Sequence, residues 1–263
     1  MANFVAMKYG VANLSLIHCR AEAADQSEIV TQLLFGDPFE IIEEFPKWLS
    51  IRIADDQYVC FIDKKQCTPI DKTEFERLSN TTSFCYDLVS LIQTPGQQMI
   101  PILLGSRIPE MKNEQFILAG QEYSFEGALN DTKAEDKRAA VLENAFLYLN
   151  APYLWGGKSP YGIDCSGFTQ MVYKLAGDQI PRDAWQQAEL GETLSFVEEA
   201  QVGDLAFFDN EDGRIIHVGI MLDNGRIIHA SGKVRIDKID HQGIFNEDLG
   251  TYSHNLRLIK RFI

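Results

Sequence analysis

The sequence predicts an α+β protein: a β-rich N-terminal half, then helices packed on an antiparallel sheet. Three observations predict it. Short apolar, β-branched segments separated by turns fill the N-terminal region. An amphipathic helical pattern follows a Gly-rich loop and begins at Cys165. Two strand-like runs carrying His217 and His229 flank Asp223-Asn224-Gly225.

The N-terminal strands are expected at 13–14, 31–37, 39–42, 48–52 and 58–62. A weaker repeat of this pattern runs from about Thr73 to Asn130, with strands at 101–105 and 115–118. Within it, 84–93 could form a small helix. The span 133–149 reads as a helix with Leu142, Ala145, Phe146 and Leu149 as its apolar stripe. Asn130-Asp131-Thr132 supplies the boundary and a cap. The expected division is therefore 1–72, 73–130 and 131–263.

The helix at Cys165 is the most informative segment. Phe168, Met171, Val172 and Leu175 form one apolar stripe, with Cys165 at its top facing inward. Asp164 is the expected N-cap and Gly177 the stop. A thiol at a helix N-terminus sits in the positive end of the backbone dipole, which favours the thiolate. Strand parity constrains the two histidines. A two-residue Asn224-Gly225 turn would put them on opposite faces. A three-residue Asp223-Asn224-Gly225 loop, a type I turn with Gly225 left-handed, pairs Gly219 with His229 and puts them on one face. A nucleophilic site requires the second arrangement, with Gly219 leaving room beside the imidazoles. A lone cysteine on an apolar helix face is ordinarily a packing residue; a base and an orienting group beside it change that reading.

From Tyr153 to Ser231 the chain resembles the NlpC-type, papain-like cell-wall cysteine peptidases. The resemblance rests on Tyr153-x-Trp155-Gly156-Gly157, Asp164-Cys165-Ser166-Gly167-Phe168, Pro181-Arg182-Asp183-Ala184, Gln187, Gly203-Asp204-Leu205, Phe207-Phe208, His217-Val218-Gly219-Ile220 and His229-Ala230-Ser231. It implies Cys165 as nucleophile, His217 as base and His229 as the residue that orients His217. It implies that Tyr153 lies over the cysteine and helps bind the oxyanion or substrate. The N-terminal strand order resembles a bacterial SH3-like barrel. Departures are Gln57 and Cys60, where that family often has Gly, and Phe61 in place of Trp.

The combined layout is similar to the γ-D-glutamyl-L-diamino acid endopeptidases, which cut murein peptides between D-Glu and the diamino acid. That resemblance implies a substrate with a free N-terminal L-Ala, met during murein peptide recycling. It assigns Glu28, Tyr58 and Asp164 to the L-Ala ammonium. It assigns Arg182 and Ser166 to the D-Glu carboxylate, and Trp155 to the substrate-binding loop. Ala184 stands where many relatives carry Ser. Other readings are a related amidase or acyltransferase using the same thiol, and a non-catalytic binder of wall fragments. An acyl-chain site would be apolar, against Arg182; a binder has no need of Cys165, His217 and His229 together.

Composition bounds the rest. A chain of 263 residues, 45% hydrophobic, can build two or three small cores. Its net charge of −14 argues against nucleic acid and anionic membrane surfaces as partners. No apolar run is long enough to span a bilayer. Residues 1–10 lack a basic region followed by an apolar run. Five cysteines without metal-type spacing suit a reducing compartment. A cytoplasmic monomer is expected, with no metal or organic cofactor implied.

Overall fold

The computed structural model describes residues 8–130 and 136–263. It divides between Thr132 and Lys133 into two compact units. The start of the chain and the expected cap at Asp131-Thr132 lie outside the described residues.

In the first unit, seven strands form one antiparallel sheet: β1 (Tyr9–Ala12), β2 (Leu16–Arg20), β3 (Ile29–Leu34), β4 (Pro38–Glu44), β5 (Trp48–Ile53), β6 (Val59–Asp63) and β7 (Cys67–Ile70). Their order is β3-β2-β6-β5-β4-β1-β7, an SH3-like β domain around Leu33, Phe39, Leu49, Ile51 and Ile62. Gln57, one of the departures noted above, has φ +60°. The position is one that glycine fills without strain; here the Gln57 amide donates to Ala54 O at 2.9 Å and holds the turn.

A short helix, α1 (Lys72–Ser79), capped by Asp71, leads to a four-stranded sheet. Its strands are β8 (Val89–Gln93), β9 (Met99–Leu103), β10 (Gln115–Leu118) and β11 (Gln121–Phe125), in order β10-β11-β8-β9. The segment 84–93 is thus extended rather than helical. Phe84 and Cys85 make bridges to Arg107 and Leu129, and β8 pairs along its whole length with β9. Cross-strand pairing outweighs the weak helical pattern there. Both sheets feed one core, in which Val11 and Phe35 meet Ile92, Ile102, Phe116 and Tyr123.

Arg107 joins these layers. It is fully buried. Its Nη2 reaches both Asp55 carboxylate oxygens, at 2.5 and 2.7 Å. Its Nη1 donates to Leu78 O at 3.0 Å and to Thr81 O at the end of α1. Its backbone N–H donates to Phe35 O at 2.8 Å. Gly36 is required at this approach: a Cβ there would lie 2.4 Å from Arg107 O.

The second unit opens with α2 (Lys137–Leu147), capped by Asp136 through Ala139 N. Its buried face is Val141, Asn144, Ala145 and Tyr148; of the expected stripe Ala145 is buried, whereas Phe146 and Leu149 are exposed. The face is turned to include Asn144, whose Nδ2 donates to Val172 O at 3.2 Å. Tyr148 then meets Phe168 edge-on.

A small hairpin follows, β12 (Lys158–Ser159) and β13 (Gly162–Ile163), then α3 (Cys165–Leu175) and the short α4 (Ala184–Gln187). Helix α3 is buried along its whole length, between α2 and the main sheet. It stops at Ala176, and Gly177 has φ +89°, as a left-handed stop needs.

The main sheet contains β14 (Glu192–Leu194), β15 (Leu205–Asp209), β16 (Ile215–Leu222), β17 (Arg226–Ser231), β18 (Lys233–Ile239), β19 (Gly243–Asn246) and β20 (Thr251–Arg261). All pairings are antiparallel, in order β14-β20-β15-β16-β17-β18-β19, and β20 also pairs with β19. The strands from β15 to β20 therefore close into a ring, with β14 outside it. Among the described residues no helix is long and apolar enough to cross a membrane.

Replacing Arg107 with Ala leaves the Asp55 carboxylate and two backbone carbonyls without their guanidinium. The expected loss is about 3–5 kcal/mol of unfolding free energy, measured by urea denaturation of the whole chain. A loss below about 1 kcal/mol would show that the pair contributes no more than a surface ion pair.

Candidate functional site

The site begins where the Gly-rich loop meets α3. Asp164 caps the helix: its Oδ1 accepts from Gly167 N at 2.7 Å. Its Oδ2 accepts from Gly156 N at 2.8 Å, tying the loop to the helix start. The contact is close because both partners lack a Cβ. One on Gly167 would lie 2.3 Å from Gly157 O, and one on Gly157 would lie 2.3 Å from Gly162 O.

Arg182 completes the carboxylate. Its Nη1 donates to Asp164 Oδ1 at 3.0 Å and its Nη2 to Oδ2 at 2.6 Å, a two-point fork with the arginine 1% exposed. Nη1 also donates to Ser166 Oγ at 2.8 Å. A carboxylate offers about four lone-pair sites, and these bonds occupy them. Gln187 braces the same turn, donating to Ser166 O and Pro181 O and accepting from Thr169 Oγ1.

Cys165 is the first residue of α3 and is 6% exposed. Its sulfur is hydrogen-bonded by the backbone at Val218 and Ser166. The first of these brings it to β16, at the residue after His217. Burial pushes the thiol up to about 12, and the Asp164 carboxylate adds to this; the two backbone bonds and Arg182 oppose it only in part. The advantage expected from the helix N-terminus is thus outweighed by desolvation. Tyr153 is half-buried and close to the same charges: burial, then Cys165 and Asp164, raise its hydroxyl to about 12. Trp155, two residues on, is 59% exposed.

The two histidines share one face, as the three-residue loop requires. Gly219 pairs with His229 and Leu222 with Arg226, leaving Asp223-Asn224-Gly225 as the loop. The loop is not a type I turn, because Asn224 as well as Gly225 is left-handed, at φ +60° and +63°. Asn tolerates that conformation better than most residues. His217 Nε2 lies 2.8 Å from His229 Nδ1, with the rings nearly perpendicular. Burial, reinforced by His229 and His254, holds His217 well below the ordinary imidazole value.

Two neighbours were not singled out by sequence reasoning. His229 Nε2 lies 3.0 Å from Asp237 Oδ2, and Asp237 is buried. Asp237 is tied in turn to Arg235, whose Nη2 donates to its Oδ1 at 2.8 Å. The available signal was parity: Arg235 and Asp237 alternate with Val234 and Ile236 on β18, next to β17. His254 stacks on His217 with ring centroids 4.1 Å apart. Burial and the neighbouring His229 lower it to about 4. No local pattern marks His254, which arrives through closure of the ring by β20. Glu28 is exposed and Tyr58 half-buried, both in the first unit, whereas Asp164 belongs to the second.

A thiol at the backbone of Val218, next in sequence to an uncharged imidazole that is backed by a second imidazole and a carboxylate, carries the parts needed for nucleophilic attack with proton transfer. Comparisons agree with this chemistry. Residues 150–251 match the NlpC/P60 family, and residues 19–66 match the bacterial dipeptidyl-peptidase SH3 domain. The γ-D-glutamyl-L-lysine dipeptidyl-peptidase of Bacillus subtilis (strain 168) is 28% identical, over 77% of this chain and 72% of its own. Dipeptidyl-peptidase 6 of Lysinibacillus sphaericus is 29% identical, over 88% of this chain and 92% of its own. The crystal structure of an NlpC/P60 family protein from Bacillus cereus ATCC 10987 has the same fold, with TM-score 0.81 at 19% identity, over 96% of this chain and 99% of that one.

Gly219 supplies the space between β16 and His229. A Cβ there would lie 2.7 Å from Ile227 Cδ1 and 2.8 Å from His229 Cβ. Gly219→Ala is expected to cost about 1–3 kcal/mol of stability and to displace His229, read as shifts of the His217 and His229 imidazole signals by NMR. Unchanged stability with unshifted imidazoles would contradict this packing.

Proposed function

We propose that this chain, an NlpC/P60-type cysteine peptidase, hydrolyses the γ-D-Glu to diamino acid amide of murein peptides that carry a free N-terminal L-Ala. The reading places it in cell-wall peptide recycling, as a cytoplasmic monomer. The observation that carries the substrate is the reach of the likeness. Relatives named γ-D-glutamyl-L-lysine dipeptidyl-peptidase match 77% and 85% of this chain, more than the catalytic domain alone accounts for. Five free thiols support a reducing compartment.

In this reading Cys165 is the nucleophile. Its sulfur attacks the amide carbonyl carbon while the thiol proton passes to His217, which His229 orients. The developing oxyanion takes hydrogen bonds from the Cys165 backbone N–H and the Tyr153 hydroxyl. The C–N bond then breaks, and His217 returns the proton to the departing amine. Water attacks the thioester, His217 takes its proton, and L-Ala-γ-D-Glu leaves as the thiol is restored. The resemblance assigns the L-Ala ammonium to Glu28, Tyr58 and Asp164, the D-Glu carboxylate to Ser166 and Arg182, and the peptide to the exposed loop at Trp155.

The test uses L-Ala-γ-D-Glu-meso-diaminopimelate, its L-lysine counterpart, and N-acetylated versions of both, with products followed by mass spectrometry. Release of L-Ala-γ-D-Glu from the free peptides alone is the expected result. Equal cutting of acetylated peptides would remove the ammonium requirement. No cutting of any of them would remove the murein-peptide reading.

A further inference from the structure

We propose that Asp237 is the positioning residue that sets the tautomers of both site histidines and so selects the atom of His217 that accepts the thiol proton. The inference rests on the peptidase reading and adds to it a residue that touches neither substrate nor sulfur.

Asp237 faces His229 through Oδ2, at 3.0 Å, and Arg235 through Oδ1, at 2.8 Å. Burial alone would raise this carboxyl, but hydrogen bonds from His229 and Arg235 overcome burial and hold it below the usual range. It is therefore an ionised group that only accepts, and Arg235 is always a donor. His229 Nε2 must carry the proton of the shared bond. With Nε2 holding the one ring proton, Nδ1 is bare and accepts from His217 Nε2 at 2.8 Å. His217 thus carries its proton on Nε2. Burial keeps this ring uncharged, so Nδ1 is left with the lone pair. That atom is the base.

Remove the carboxylate and the order of protons is no longer imposed. His229 can then protonate Nδ1 and donate to His217 Nε2, which puts the His217 proton on Nδ1 and abolishes the base. The surroundings confine the rings without choosing between these states. His254 stacks on the face of His217, and its Nδ1 lies 2.9 Å from Ser253 Oγ. Phe208 lies 5.7 Å from His217, centroid to centroid. Among the described residues, Asp237 is the carboxylate hydrogen-bonded to this pair, and it supplies a fixed acceptor. Arg235 is itself anchored, with Nη2 2.8 Å from Asp248 Oδ2, so the carboxylate is held from behind.

The test is long-range 15N NMR of the histidine-labelled whole chain, which reads each ring's tautomer without substrate. Alongside it, iodoacetamide alkylation of Cys165 and peptide hydrolysis are measured for wild type, Asp237→Asn and Asp237→Ala. The expected wild-type spectrum has His229 and His217 both protonated on Nε2. The variants are expected to populate the Nδ1-protonated form of His217, and to lose about 10–100-fold in kcat with KM changed less than about twofold. A wild-type His229 carrying its proton on Nδ1, or on both nitrogens, overturns the proposal even if neither variant folds. So does a folded variant with wild-type tautomers, whatever its kcat. If the wild-type tautomers are as expected and no murein peptide is cut, the substrate reading fails and the tautomer assignment stands.

Discussion

The Asp164 carboxylate is the interaction on which the site depends. One buried group caps α3, holds the Gly156 N–H of the preceding loop and receives the Arg182 fork. Each partner fixes a different element: the helix that starts at Cys165, the loop that carries Tyr153 and Trp155, and the segment before α4. A buried carboxylate that lost one of these donors would bear an uncompensated cost. The three elements are therefore specified together, and the glycines at 157 and 167 are what allow the backbone to close around the group.

The same group shapes the chemistry. It stands next to the thiol and opposes its ionisation, as does the burial of α3. His217 is pushed in the opposite sense, away from the imidazolium. Both shifts favour an uncharged pair at rest over a standing thiolate–imidazolium pair. In the proposed reaction the proton moves as the sulfur–carbon bond forms, when the substrate oxyanion and its donors compensate the charge. A second polar network runs from His217 through His229 to Asp237 and Arg235 on the far side of the base. The sulfur and the imidazole are thus each backed by a carboxylate–arginine pair, one on the helix side and one on the sheet side.

Much of this was legible in the sequence where the signal is local. The Asp164 cap, the Gly177 stop and the buried stripe of α3 follow from residues within a few turns of one another. Parity alone leaves the hairpin two registers; the three-residue loop follows only from requiring both histidines on one face, and the left-handed Asn224 was not expected. What was not legible depends on partners distant in the chain. The face of α2 includes Asn144, which reaches Val172 O on α3. The strand at Val89–Gln93 exists through its pairing with β9. His254 meets His217 because β20 closes the ring, and Asp237 meets His229 across the β17–β18 register. The fork between Arg182 and Asp164 joins residues 18 apart in the chain, and no local pattern marks it.

The claim that joins these observations is that the scaffold keeps Cys165 protonated until substrate arrives. Its most direct test is a titration of that thiol. With Cys19, Cys60, Cys67 and Cys85 replaced by Ala or Ser, the rate of Cys165 alkylation is followed from pH 5 to 11, values that bracket the ordinary thiol pKa of about 8.5. The expected rate keeps rising through the alkaline range, with an apparent pKa well above that ordinary value, because burial and Asp164 raise it. A plateau already reached near neutral pH would mean a standing thiolate–imidazolium pair and would contradict it.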